Sequence, residues 1–91
     1  PAHLLLHSSG ALICSVSRRI EPYGQRAYIS YDMGKSWSAE YILDDQAPDY
    51  DHGYPSTTEL DDGSLLTVYY QKCIGDSKPS ILYTHWNLKN Q

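Results

Sequence analysis

Ser30-Tyr31-Asp32-Met33-Gly34-Lys35-Ser36-Trp37 lies between two β-prone runs, Ala27-Tyr28-Ile29 before it and Tyr41-Ile42-Leu43 after it. A polar stretch with Asp and Gly inside it, flanked in this way, predicts a hairpin turn. Each residue type has a physical role there. Gly34 adopts φ > 0 without steric penalty. The Asp32 carboxylate accepts hydrogen bonds from turn N–H groups, and the Ser30 hydroxyl closes the turn from the strand end. Trp37 folds a large apolar ring back over the hairpin. An ordinary tight hairpin with a nearby Trp is the plainer reading of the same residues.

Outward from this turn the chain reads as short strands separated by turn signals. Strands are predicted over 3–7, 11–17, 25–31 and 41–43, with Ser8-Ser9-Gly10 and Glu21-Pro22-Tyr23-Gly24 as connections. Four such strands in sequence make one antiparallel sheet. Asp44, Asp45, Pro48, Asp49, Asp51 and His52 then mark a polar loop, after which the opening pattern returns. Leu6-His7-Ser8-Ser9-Gly10-Ala11-Leu12 is echoed by Leu60-Asp61-Asp62-Gly63-Ser64-Leu65-Leu66, with Gly10 and Gly63 lying 53 positions apart. Further strands are predicted over 55–60, 64–71 and 80–86. The first unit, 1–46, is thus complete, and the second, 47–91, lacks an outer strand. Strict apolar/polar alternation is missing from Leu65-Leu66-Thr67-Val68-Tyr69-Tyr70, as in sheets covered on both faces. A small β-sandwich is the alternative.

Composition agrees with a β-rich fold. The 91 residues allow one small domain with a modest core. Nine Tyr and two Trp with no Phe suit strands whose aromatic residues have one apolar body and one wet tip. A formal charge of −4 without a Lys/Arg cluster argues against nucleic acid and against an anionic membrane surface. No apolar run approaches a membrane span. The chain opens on Pro1 rather than Met and reads as a processed or partial one. Cys14 and Cys73 lack metal-ligand spacing and read as two buried thiols.

The pattern Ser-x-Asp-x-Gly-x-x-Trp, met by Ser30, Asp32, Gly34 and Trp37, resembles the Asp-box of sialidase-like (BNR-repeat) β-propellers. Tyr23-Gly24-Gln25-Arg26 and Gly53-Tyr54-Pro55-Ser56, with Leu60 to Tyr70 after them, resemble the last part of such proteins. The resemblance implies an all-β fold of two consecutive propeller blades, at a repeat period of roughly 40–50 residues. It implies a structural role for the Asp-box on the rim away from any active site. By order and strand placement it matches Arg26 to an arginine that grips a substrate carboxylate and Tyr54 to the nucleophilic tyrosine. An Arg fork suits a carboxylate, and a phenol suits attack on an anionic sugar.

Other roles stay open for these residues. Arg26 could pair with Asp49 or Asp51 in a strand, and Tyr54 could be a packing residue in a Gly-Tyr-Pro turn. Asp49-Tyr50-Asp51-His52 reads as a solvated acidic loop before it reads as a metal site. His3, His7 and His85 read as hydrogen-bonded strand histidines, and Arg18-Arg19 as the point where a strand emerges into solvent or into a site. No cofactor or metal is implied. The further arginines and carboxylates of a complete sialidase site belong to earlier blades by the family pattern. The leading expectation is therefore a glycan-related module that binds a carboxylated sugar without complete catalytic machinery. A structural or interaction protein built from Asp-box blades is the second, and a glycosidase with its site assembled between chains the third. Two blades leave uncovered apolar faces and an open strand edge, which predict self-association as a trimer of two-blade chains or a strand-exchanged dimer.

Overall fold

The computed structural model describes residues 2–88. Seven strands follow in order: β1 (His3–Leu6), β2 (Leu12–Arg18), β3 (Gly24–Ser30), β4 (Tyr41–Asp44), β5 (His52–Glu59), β6 (Leu65–Gln71) and β7 (Ser80–Trp86). They form two antiparallel sheets, β1-β2-β3-β4 and β5-β6-β7, each with its strands adjacent in chain order. The described residues contain no helix. The predicted strands are all present, with ends shifted by up to three residues.

The two sheets pack face to face. Ala11, Ile13, Ala27 and Ile29 of the first sheet and Leu65 of the second form the buried apolar cluster, flanked by Leu5, Tyr41, Leu43 and Trp86. Beyond it the interface becomes polar. Ser15 Oγ, Thr57 Oγ1 and Thr67 Oγ1 form a chain of hydroxyls at 2.5 and 2.8 Å, and Trp86 Nε1 donates to Thr67 Oγ1 at 2.9 Å. Buried hydroxyls are tolerated here because each finds a partner.

Burial alternates along β6, so the expectation of strands covered on both faces is corrected for this chain. Leu65, Thr67, Tyr69 and Gln71 are buried against the first sheet, while Leu66, Val68 and Tyr70 point away from it. The period-2 pattern is hidden in the sequence because the outer faces are apolar as well. Leu4, Leu6 and Ile42 are 60–61% exposed on the first sheet, and Ile81 and Tyr83 are 79% and 69% exposed on the second. Cys73 is likewise exposed and Cys14 only half-buried, against the expectation of two buried thiols.

The internal repeat is visible in backbone hydrogen bonds. In the β1–β2 turn His7 N donates to Ala11 O and Gly10 N to His7 O. In the β5–β6 turn Leu60 N donates to Ser64 O and Gly63 N to Leu60 O, each position displaced by 53 (60 − 7, 63 − 10, 64 − 11). At that displacement Ile13 and Ser15 correspond to Leu66 and Val68. The first pair is buried between the sheets and the second lies on the outer face. Leu12, Cys14 and Val16, on the outer side of the first sheet, correspond to the buried Leu65, Thr67 and Tyr69. The repeats therefore meet by unlike faces.

The β3–β4 connection is the hairpin that Ser30, Asp32, Gly34 and Trp37 predict. Ser30 Oγ donates to Asp32 Oδ1 and accepts the Gly34 N–H, both at 2.8 Å. Asp32 accepts from the Ser36 hydroxyl at 2.6 Å and from the Ser36 N–H at 2.9 Å. These donors, the Ser36 hydroxyl foremost, hold the Asp32 carboxyl down to about 2. Gly34 has φ 91°, and Trp37 lies over it, with Cζ2 3.9 Å from where a Cβ would stand.

Candidate functional site

The strand directions put three loops at one end of the molecule: 19–23, 45–51 and 72–79. The hairpin from Ser30 to Trp37 and the two Gly-turns occupy the other end. At the loop end, Arg19, Asp49, Tyr50, Asp51, Tyr70 and Lys72 line a cleft of about 330 Å³. That lies within the range of small-ligand sites. Lys72 Nζ sits 3.2 Å from Asp49 Oδ2 and 3.5 Å from Asp51 Oδ2, so these three charges are mutually engaged. The Asp51 N–H, ahead of Lys72, lowers the Asp49 carboxyl, and Asp49 in turn raises Lys72. Arg19 is exposed and makes no ion pair among the described residues. Its guanidinium rests against Gly53, where a Cβ would come 2.6 Å from Nη2.

Tyr54 adjoins this cleft. The β5–β6 register jumps from Gly53↔Tyr70 to Ser56↔Val68, so Tyr54 and Pro55 together oppose Tyr69 in a β-bulge. Pro55 supplies no N–H for the ladder, which suits it to a bulge. Tyr54 has φ 52°, a left-handed conformation that costs a non-glycine residue about 1–2 kcal/mol. Its ring is exposed and stacks on Tyr70 at a centroid distance of 5.8 Å. Tyr70 thus connects the cleft to Tyr54. The Tyr54 hydroxyl has no hydrogen-bonding base among the described residues.

Arg26 stands apart from this surface. It is 1% exposed, and its guanidinium donates to the backbone carbonyls of Pro22, Gln25 and Asp44 at 2.8, 3.0 and 2.7 Å. Its Nε donates to Glu40 Oε1 at 3.2 Å, so the acidic partner is Glu40, while Asp49 and Asp51 engage Lys72. The structure therefore sets Tyr54 beside the cleft, stacked on Tyr70 and next to Val68 and Ile81 on the outer side of the second sheet, and leaves Arg26 among carbonyls beneath the 19–23 loop. Arg19 is the arginine at the cleft, beside the already paired Lys72. Its signal in the sequence was the Arg18-Arg19 pair at a strand end. The histidines are hydrogen-bonded as expected: His7 with Ser9 and the Gly63 carbonyl, His85 with Ser64, and His3 Nδ1 accepting the Thr57 N–H. Among the described residues no group of His, Cys, Asp and Glu is arranged to hold a metal ion.

Behind the cleft the two sheets are joined by a buried amide and imidazole layer. Gln25 Nε2 donates to His52 Nδ1 at 2.9 Å and to Gln71 Oε1 at 3.2 Å, and Gln71 Nε2 donates to Asp44 Oδ1 at 2.8 Å. Tyr69 donates to Asp44 Oδ2, and burial pushes its phenol up to about 12. His52 is fully buried, and accepting at Nδ1 fixes the neutral tautomer with the proton on Nε2. Burial first, and then Arg19, lowers its pKa below the ordinary 6.5. A depressed folded-state value means stability that is complete above pH 6.5 and lost as pH falls through the folded value. Urea midpoints at several pH values between 8 and 4 should thus fall on acidification, and His52→Gln should flatten that fall. Parallel curves for the two proteins would exclude His52 as its source.

No protein-family model matches the chain, and no curated protein matches it. A crystal structure of a protein of unknown function from Dyadobacter fermentans DSM 18053 superposes with a TM-score of 0.86 at 25% sequence identity. The match covers 98% of this chain and 25% of that one, so this chain spans about a quarter of the length of that protein.

Proposed function

We propose that the chain is a two-blade portion of a sialidase-like Asp-box propeller whose loop-end cleft binds a carboxylated sugar without hydrolysing it. The blade reading is supported by the unlike-face packing of the repeats, since successive propeller blades stack in one direction. The observation that carries the ligand reading is the exposed Arg19 guanidinium, free of any carboxylate among the described residues, beside the cleft tyrosines. Arg19 offers a planar fork to a carboxylate. Tyr70 and Tyr54 offer ring faces to a sugar. Binding in place of hydrolysis follows from Tyr54, whose hydroxyl has no base in hydrogen-bond reach among the described residues.

Calorimetry with sialic acid should give weak binding that Arg19→Ala reduces roughly tenfold or more, as expected for a lost charged hydrogen bond. The same titration with a neutral hexose should give less heat. Unchanged affinity in Arg19→Ala, or no heat with sialic acid, would remove the carboxylate reading. A second reading, a structural module working by assembly, is favoured by the exposed apolar outer faces of both sheets.

A further inference from the structure

We infer that the hollow between the 19–23 and 45–51 loops is a binding site for a small organic cation of the quaternary ammonium type, with Tyr23 as its platform and Glu21 and Asp45 as its counter-charges. The site is separate from the Arg19 cleft and does not depend on what that cleft binds.

Glu21, Pro22, Tyr23, Asp45, Ala47 and Pro48 line a space of about 400 Å³, a size that suits a small ligand. Its apolar walls are one aromatic ring, two proline rings and the buried Ala47. Tyr23 is half-buried and is held in a T-shaped contact with the fully buried His52, the ring centroids 6.2 Å apart. Proline rings fix their own backbone φ, so the loop walls are stiff. A hollow that is already formed spares its ligand the entropy of ordering it.

Charge decides which ligand. Glu21 and Asp45 are exposed, and among the described residues neither carboxylate is paired with a cation. Asp45 Oδ1 accepts from the neutral Gln46 amide at 2.8 Å. The arginines under this loop are directed elsewhere: Arg18 and Arg26 donate to the backbone carbonyls of Glu21 and Pro22, and they lie 3.9 and 3.2 Å from the Glu40 carboxylate. Neither lines the hollow. The 45–51 loop thus borders two spaces of different character, with Asp45 and Pro48 on this one and Asp49 and Asp51, engaged by Lys72, on the cleft of Arg19. An anion is repelled here. A metal ion is poorly served, because it wants six or more oxygens, and among the described residues no group of acids or histidines is arranged to hold one. A primary ammonium is strongly hydrated and gains little from proline and tyrosine walls. A quaternary ammonium gains from the Tyr23 ring and from apolar contact, while the two carboxylates balance its charge.

Choline chloride is the probe, and the neutral alcohol in which carbon replaces its nitrogen is the comparison. In an NMR titration at constant ionic strength, choline should shift the Ala47 amide signal saturably, and the alcohol should bind several-fold more weakly. Tyr23→Leu should weaken choline about two- to tenfold, as for a lost cation–π contact, and Tyr23→Phe should restore it. Glu21→Gln combined with Asp45→Asn should weaken it about threefold or more. Equal affinity for choline and the alcohol, or full affinity in the double variant, would reduce the hollow to an apolar pocket and overturn the inference. The absence of a saturable shift would overturn it equally. Both acids are exposed, so the double variant keeps the fold and carries the test should circular dichroism show that Tyr23→Leu has unfolded.

Discussion

Arg26→Ala is expected to lower the free energy of unfolding by about 3–5 kcal/mol. The guanidinium is buried, and it satisfies the carbonyls of Pro22, Gln25 and Asp44 together with the Glu40 carboxylate. Alanine leaves those acceptors unpaired and a cavity of side-chain size between the 19–23 loop and β4. Each buried polar group left unsatisfied costs about 1–3 kcal/mol, which is why several lost together outweigh any relief from removing a buried charge. Arg26→Lys recovers only part of the loss, because an ammonium point charge does not span acceptors arranged around a planar fork. Arg19→Ala is the matched control. Arg19 is exposed, and its removal should change stability by no more than about 0.5 kcal/mol while weakening the ligand. Urea denaturation of both variants separates the roles: an Arg26→Ala midpoint equal to wild type would return Arg26 to the list of ligand-binding candidates.

The contrast between these two arginines measures how far the sequence could be read. Strand positions were legible because Gly and Pro punctuate them and because Leu, Ile, Val and Tyr cluster between the breaks. The turn from Ser30 to Trp37 was legible down to its hydrogen bonds, since Ser30, Asp32 and Gly34 act locally within five residues. The repeat displacement was legible from the two Gly-turns. What could not be read was which of three arginines faces the cleft. Arg26 and Arg19 differ in fate through the distant Glu40 and Asp44 carbonyl in one case and the Gly53 backbone in the other. Side-chain period misled along β6 for a related reason: an apolar residue on an outer face looks the same in sequence as one in the core. The exposed Cys73 went unread because it stands two residues past the end of β6, close enough to be taken for a strand-end thiol. Long-range contacts, and not local propensity, decide each of these.

Two glycines at the start of strands carry the last prediction, and they separate because of what surrounds them. Gly24 has φ 151° and Gly53 has φ 143°, both in the region that L-residues rarely enter. A Cβ on Gly24 would overlap the Asp44 carbonyl oxygen and stand 2.7 Å from the Asp44 carbonyl carbon and 2.9 Å from the Asp45 Cα. All three are backbone atoms of the β3–β4 pairing, and the same carbonyl receives Arg26 Nη1. Nothing there can rotate aside, so relief requires β4 to leave β3, next to the register shift at Gln25 and Arg26. Gly24→Ala should therefore cost about 4–5 kcal/mol, at the far end of single-residue effects, and much of the protein should be unfolded at 37 °C. A Cβ on Gly53 would meet Arg19 Nη2 at 2.6 Å and Ser17 Oγ at 2.8 Å, both at the ends of side chains that can turn. Gly53→Ala should then cost only the backbone strain, about 1–3 kcal/mol, while pushing Arg19 out of place. Urea denaturation beside sialic acid titration reads both effects. Comparable stability for the two variants would mean that the Asp44 carbonyl yields, and the close approach of β4 to Gly24 would lose its claim to hold this edge of the first sheet.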